Sequence, residues 1–292
     1  MSEAVSRMLA RYGCRTAADD PRAMREILQG IALLGLWRGR FFEKAALCGG
    51  AALRLLYGLE RFEADLDLTL LASARGFDFS RCRKALMREI RSLGFTIRMT
   101  GRESHKASPL ASAFLKADTR QYDLSIEAVP EAPWPRVKAP VIRFRIEIDT
   151  DPPPGLMVES RTCPLPIPFS VRTLAPPDLL AMKLHALLCR RYCRRAKGRD
   201  WYDLVWFAAN APEVNLVHLE ARLRRSGQMP EGERLTGEAL QKMASRVIKI
   251  LDVDEARREA APFLTDAEAL AAWSPDFFRD AFRRIAAAGE KG

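Results

Sequence analysis

Between residues 65 and 70 leucine alternates with polar residues: Leu66, Leu68 and Leu70 against Asp65, Asp67 and Thr69. A period of two marks a strand with one buried face, so both aspartates fall on the opposite face. The same period runs through 142–149 and predicts a second strand. Ile142, Phe144, Ile146 and Ile148 lie on one side of it, and Arg143, Arg145, Glu147 and Asp149 on the other. Pro152, Pro153 and Pro154 must end that strand, because proline lacks the N–H a ladder needs. Shorter strands are predicted at 45–48 and 95–99, and another, with a connector, within 164–174.

Helical spacing takes over elsewhere. Asp20-Pro21 has the start signature of a helix that carries apolar residues to Trp37 and stops at Gly39. Gly49-Gly50 turns the chain into a helix that ends at Tyr57-Gly58, and 79–93 reads as a helix closed by Gly94. Beyond Pro177 the pattern is helical throughout, in DLLAMKLHALLCRRY, in RDWYDLVWFAAN and in amphipathic stretches from 216 to 285. The expected fold is therefore α+β, a mixed sheet with helices over residues 1–170 followed by an all-helical domain over 171–292.

The chain has 292 residues, long enough for two cores, and its 48% hydrophobic and 29% charged composition is ordinary for a globular protein. The first residues lack the apolar core of a signal peptide, and the longest apolar stretch, LQGIALLGLW, is too short to span a bilayer. A soluble cytoplasmic protein without a membrane partner is expected. Six cysteines form no CxxC pair, and cytosolic thiols stay reduced. His185, Cys189 and Cys193 recur every four residues, but that spacing drifts around a helix and lacks a fourth ligand, so they read as half-buried thiols rather than a zinc site. Lys and Arg outnumber Asp and Glu by 47 to 37, a net charge of +10 that favours polyanionic partners.

Three features carry candidate chemistry. Two carboxylates two residues apart on one strand face repel, and a hard cation such as Mg²⁺ is their natural partner, with Glu147 or Asp149 on a neighbouring strand as the third acid. A solvent-facing strand with salt bridges to Arg143 and Arg145 is the plain alternative. Gly49 and Gly50 precede a helix, where backbone N–H groups can approach a phosphate, although any tight turn can use such a pair. Lys183 sits in an apolar stripe formed by Leu179, Leu180, Ala186 and Leu187, so it either reaches out to water or projects into a cleft to meet a triphosphate. The segment 190–199 then holds six Arg or Lys, followed by Asp200 and Asp203. It is either a solvated basic turn or a nucleic-acid contact.

GGAALRLLYGLERFEADLDLTL resembles the nucleotide-binding motif of the AbiEii-type toxins, nucleotidyltransferases of the DNA polymerase β superfamily, in which a Gly-Gly-Ser/Thr turn precedes an Asp-x-Asp strand. RFRIEIDTDPP, LLAMKLHALLCRR and KGRDWYDL resemble the family's later blocks in the right order, so the likeness spans 43–207. The resemblance implies a nucleotidyltransferase-like sheet and a Mg²⁺-dependent transfer of NMP from an NTP to an acceptor. The acceptor it implies is RNA, with the 3′ end of tRNA as the candidate, in a toxin–antitoxin or phage-defence pair with a cognate antitoxin. It makes Asp65, Asp67 and Glu147 the metal ligands, with Asp149 in reserve, Lys183 the nucleotide-contacting lysine and Asp200 the late-motif aspartate. Gly49, Gly50 and Lys183 would bind the nucleotide, and Arg190, Arg191, Arg194 and Arg195 the RNA. Two positions depart from the family: Ala51 replaces a hydroxyl that contacts phosphate, and Glu63 stands where a small hydroxylic residue is usual. A protein-modifying toxin on the same fold and a non-catalytic RNA-binding protein with a decayed site are the rival readings.

Overall fold

The structure, a computed structural model, describes residues 3–13, 19–74, 76–103, 119–128, 141–189 and 197–289. Helices α1 (Glu3–Ala10) and α2 (Asp19–Arg38) lead into β1 (Ala45–Cys48), α3 (Gly49–Tyr57) and β2 (Leu66–Leu70). Then come α4 (Ser80–Ser92), β3 (Phe95–Glu103), β4 (Thr119–Ala128), β5 (Ile142–Asp149), β6 (Val158–Cys163) and β7 (Phe169–Leu174). All six remaining α-helices among the described residues follow the sheet: α5 (Pro176–Cys189), α6 (Gly198–Asn210), α7 (Leu216–Arg225), α8 (Gly237–Lys249), α9 (Val253–Ala260) and α10 (Pro275–Gly289). The fold is α+β, as the periodicity predicts.

The strands form one mixed sheet in the order β3-β4-β5-β2-β1-β7-β6. β2 sits at its centre, antiparallel to β1 and parallel to β5. Leu66, Leu68 and Leu70 of β2 and Ile146 and Ile148 of β5 are all at most 2% exposed, and α2 and α4 pack together over this side of the sheet, α2 touching β5 and α4 touching β3. Burying one such aliphatic side chain stabilises the fold by roughly 1.5–3 kcal/mol, so this two-helix layer makes a core that no single strand could supply.

Two strands were not anticipated. β4, ten residues long, carries the required alternation in Tyr122, Leu124 and Ile126 against Asp123, Ser125 and Glu127. β6 has almost none, because it is an edge strand whose residues are exposed except for half-buried Glu159 and buried Cys163. The sheet's β7 crosses residue 170, and the helical part starts at Pro176, with prolines in the first turn where their missing N–H costs nothing. α5 then packs on α3, α6, α7 and α8, which joins the helical part to the sheet beside the Gly-Gly turn. No helix among the described residues is long and apolar enough to cross a membrane.

Candidate active site

Strand pairing brings the first set of acids together. Asp67 lies opposite Cys48 of β1 on one side and beside Glu147 of β5 on the other. Cross-strand neighbours share a face, so the Asp67 and Glu147 carboxylates project from adjacent strands roughly 4.8 Å apart. Asp149 takes the same position beside Thr69, one step further along, and its Oδ1 accepts the N–H of Asp151 at 3.2 Å. Asp65 precedes β2, where its Oδ1 accepts the backbone N–H of Arg145 at 3.0 Å and is tied to β5. Glu147 Oε1 accepts from Gln121 Nε2 at 3.2 Å and lies 3.6 Å from Arg145 Nη1.

Gly49 follows Cys48 with φ +69°, a conformation side chains resist, and a Cβ there would lie 2.1 Å from Asp67 Oδ2. Glycine is thus required both by the turn and by the carboxylate pressed against it. Burial, then the charges of Glu147 and Glu63, push the Asp67 carboxyl up to about 7, against the pull of Lys183. Glu147 is raised as well, first by burial and further by Asp65, with Arg145 opposing. Like charges therefore meet where only a cation or a proton relieves them. Among the described residues no three acidic, His or Cys side chains close into a metal-holding group, and Glu147 is engaged by Gln121 and Arg145.

A second set, next to the first, alternates in sign. Arg61 is 1% exposed and makes a two-pronged bond to Asp203 of α6, Nε to Oδ1 at 2.6 Å and Nη2 to Oδ2 at 2.7 Å. Its Nη1 donates to Glu63 Oε2 at 2.9 Å. Lys183 of α5 places Nζ 2.7 Å from Asp203 Oδ2 and 3.7 Å from Asp200 Oδ1. Arg199 donates from Nη1 to Glu63 Oε1 at 3.1 Å and from Nε to Glu259 Oε1 at 3.2 Å. Burial opposes charge on Arg61 and Lys183, yet both are held above their ordinary values, Arg61 by Asp203 and Glu63 and Lys183 by Asp203 and Asp200. Burial would likewise raise Glu63, but Arg61, Lys183 and Arg199 hold it at about 2.

The predicted residues Asp65, Asp67, Glu147, Lys183 and Asp200 thus come from four separate elements or their ends into one region: Lys183 acts on the charge of Asp67 and pairs with Asp200. Arg61, Asp203 and Arg199 complete it: Arg61 was not singled out, and Asp203 and Arg199 stood in the sequence only beside Asp200 and within a basic run, without a role. Their signal was present in the two-residue spacing of Arg61, Glu63, Asp65 and Asp67 and the three-residue spacing of Asp200 and Asp203. His185 Nε2 lies 3.0 Å from Ser226 Oγ, and Cys189 Sγ 3.7 Å from the same oxygen. Arg190, Arg191, Cys193, Arg194 and Arg195 lie outside the described residues.

A mixed sheet whose central strand carries paired acids beside a Gly-Gly turn thus meets helices that bring a lysine and an Arg-Asp network to it. The family model for the AbiEii nucleotidyl transferase toxin of type IV toxin–antitoxin systems matches residues 31–288, and the chain belongs to that family. Among solved structures, a "putative nucleotidyltransferase" from Helicobacter pylori is similar at 17% identity and a TM-score of 0.48, covering 91% of this chain and 95% of its own. JHP933 from Helicobacter pylori is similar at 16% identity and a TM-score of 0.47, covering 90% and 94%. No curated relative matches the chain.

Proposed function

We propose that this nucleotidyltransferase toxin uses Mg²⁺ to move NMP from an NTP to RNA in the cytoplasm, with the 3′ end of tRNA as the acceptor. The observation that carries the reading is Asp67, a half-buried acid in register with Glu147, its carboxyl pushed up to about 7 by its surroundings and by like-charged neighbours. The donors of Asp65, Asp67 and Glu147 are all hard carboxylate oxygens, which fits Mg²⁺, and relief of their mutual repulsion would favour its binding. Bound there, Mg²⁺ would neutralise charge on the triphosphate.

The chain's own residues supply the rest. The Gly49-Gly50 turn begins α3, whose helix end favours phosphate charge, and the Asp67 and Glu63 carboxylates now lie against it. Lys183, held protonated by Asp203 and Asp200, adds a positive charge near Asp67. In the transfer, a ribose hydroxyl oxygen of the acceptor bonds to the α-phosphorus as the bond from that phosphorus to the bridging oxygen breaks. Pyrophosphate leaves with the bonding electrons, and the Glu147 carboxylate, raised by its surroundings, takes the hydroxyl proton. The net charge of +10 and the arginines at 190, 191, 194 and 195 support an RNA acceptor, and the family supports a cognate antitoxin.

The test supplies each labelled NTP with Mg²⁺ to purified tRNA and, separately, to a cell protein extract, for wild type, Asp65→Asn and Asp67→Asn. Label in tRNA that both variants lose is the expected result. Label entering only protein would overturn the RNA acceptor while leaving nucleotidyl transfer intact.

A further inference from the structure

Glu63 lies in the midst of the groups that would read a phosphate. Oε1 accepts the N–H of Ala64 at 2.8 Å and Arg199 Nη1 at 3.1 Å, and Oε2 accepts Arg61 Nη1 at 2.9 Å. Three donors, two of them guanidinium groups, are the partners a phosphate oxygen would take in the same place. The carboxylate also presses against the turn: a Cβ on Gly50 would stand 1.9 Å from Oε2 and 2.6 Å from Arg61 Nη2. No phosphate oxygen fits between Gly50 and Glu63 while the side chain stays there.

Charge counting points the same way. Arg61, Lys183 and Arg199 are cationic, and Asp203, Asp200, Glu63 and Glu259 are already set against them. An incoming polyphosphate meets a region whose cations are spoken for, and of these four acids Glu63 is the one that lies against Gly50. Asp203 grips Arg61 from its other edge, through Nε and Nη2. Loss of Glu63 therefore leaves Arg61 in place, held by Asp203 and by Phe62 O at 3.2 Å, with one N–H of Nη1 without its acceptor.

We propose that Glu63 is a built-in anion seated where the triphosphate would meet the Gly-Gly turn, and that it sets polyphosphate affinity by holding Arg61 and Arg199. The proposal rests on the reading that the triphosphate enters at this turn. It makes Glu63 a specificity-determining residue that restrains the site: a ligand must either displace the carboxylate from the two arginines or pass it by.

Titration of the full chain with inorganic tripolyphosphate, in low-salt buffer free of divalent metal, tests this in wild type, Glu63→Gln and Glu63→Asp, with thermal melts alongside. Glu63→Gln keeps the shape without the charge and is expected to bind at least tenfold tighter than wild type. That gain should shrink as salt is added. Glu63→Asp, one methylene shorter, folds with its charge retained and drawn back from Gly50, and is expected to gain a smaller factor. Affinity equal to or weaker than wild type in a variant that melts normally would overturn the proposal, because a purely structural glutamate gives no gain when removed. Tripolyphosphate carries no nucleotide, so this result is independent of catalysis. A gain without any label transfer by wild type leaves the built-in anion standing and removes the transfer reaction; transfer without a gain does the reverse.

Discussion

Asp65, Asp67 and Glu147 stand together with charges alike, whereas Arg61, Glu63, Lys183, Arg199, Asp200 and Asp203 alternate in sign. Both clusters are polar and largely enclosed, and they share a boundary at the Gly-Gly turn, where Asp67 abuts Gly49 and Glu63 abuts Gly50. In the first, Asp67 and Glu147 are raised in pKa by burial and by like charges; in the second, Glu63 is held low by Arg61, Lys183 and Arg199. Enclosed charge is tolerable when paired and costly when repelled. The alternating cluster therefore ties the sheet to the helices through paired charges, and the like-charged cluster keeps a repulsion that a proton or a cation would relieve.

The sharpest way to break this contrast is to remove one charge from each side. Asp67→Asn takes away a proposed metal ligand and is expected to lower transfer by about 10³-fold, on the order of 4 kcal/mol in the barrier. The metal-free fold should become more stable by about 1 kcal/mol, because a repelled carboxylate has gone. Labelled-NTP turnover and urea unfolding of the same preparation read both effects. Wild-type turnover would end the metal-site reading, and a clear loss of stability would end the claim that the cluster is repulsive.

Asp203→Ala should do the opposite in stability. It strands Arg61 and Lys183 without their shared acid, and breaking an enclosed ion pair from one side costs about 3 kcal/mol or more. Urea unfolding measures it. A cost under about 1 kcal/mol would place Arg61 in solvent contact and abolish the distinction between the clusters.

The shared turn sharpens the comparison at a smaller scale. Gly49→Ala meets both a positive φ and the Asp67 carboxylate, whereas Gly58, also at positive φ (+81°), has nothing within 4 Å of an added Cβ. Each substitution carries a backbone penalty of about 1 kcal/mol. Gly49→Ala should cost about 1 kcal/mol more than Gly58→Ala and should also impair transfer by displacing Asp67. Equal costs in chemical denaturation would mean the carboxylate yields freely.

Acid pH separates the two clusters by sign. The Asp67 pKa is raised in the folded state to about 7, so its protonated form favours folding at low pH, and that contribution is lost as pH rises from about 4 toward 7. Glu63 is lowered to about 2, so its contribution is present above about 4.5 and lost as pH falls toward 2. Wild type minus Asp67→Asn should therefore lose on the order of 1 kcal/mol between pH 4 and 7 in metal-free buffer, read from urea midpoints at each pH. A difference that is flat across this window would mean Asp67 is not crowded by Glu147 and Glu63.

Much of the frame was legible because it is local. Alternation around Leu66–Leu70 and in 142–149 assigns each side chain to a face of its strand, and α2 and α4 begin and end at the punctuation the chain displays. The Gly-Gly pair announced a turn, Lys183 stood out as a charge in an apolar stripe, and Glu63 departed from its family's pattern. None of these revealed its own cause. Gly50 is small because Glu63 and Arg61 crowd it, and Lys183 is tolerated because Asp203 lies 2.7 Å away.

Residue spacing over two to four positions follows from the geometry of strand and helix, so the sequence alone determined which residues share a face and where each element stops. The partnerships across the cleft join residues far apart in the chain, Arg61 to Asp203 over 142 positions and Arg199 to Glu63 over 136. No periodicity reaches that far. Only the order of strands in the sheet, which seats Glu147 beside Asp67, and the packing of α5 on α3 and of α6 on α5 decided which charges repel and which are paired. Coulomb energy depends on distance and burial in three dimensions, and those are set when the chain closes on itself.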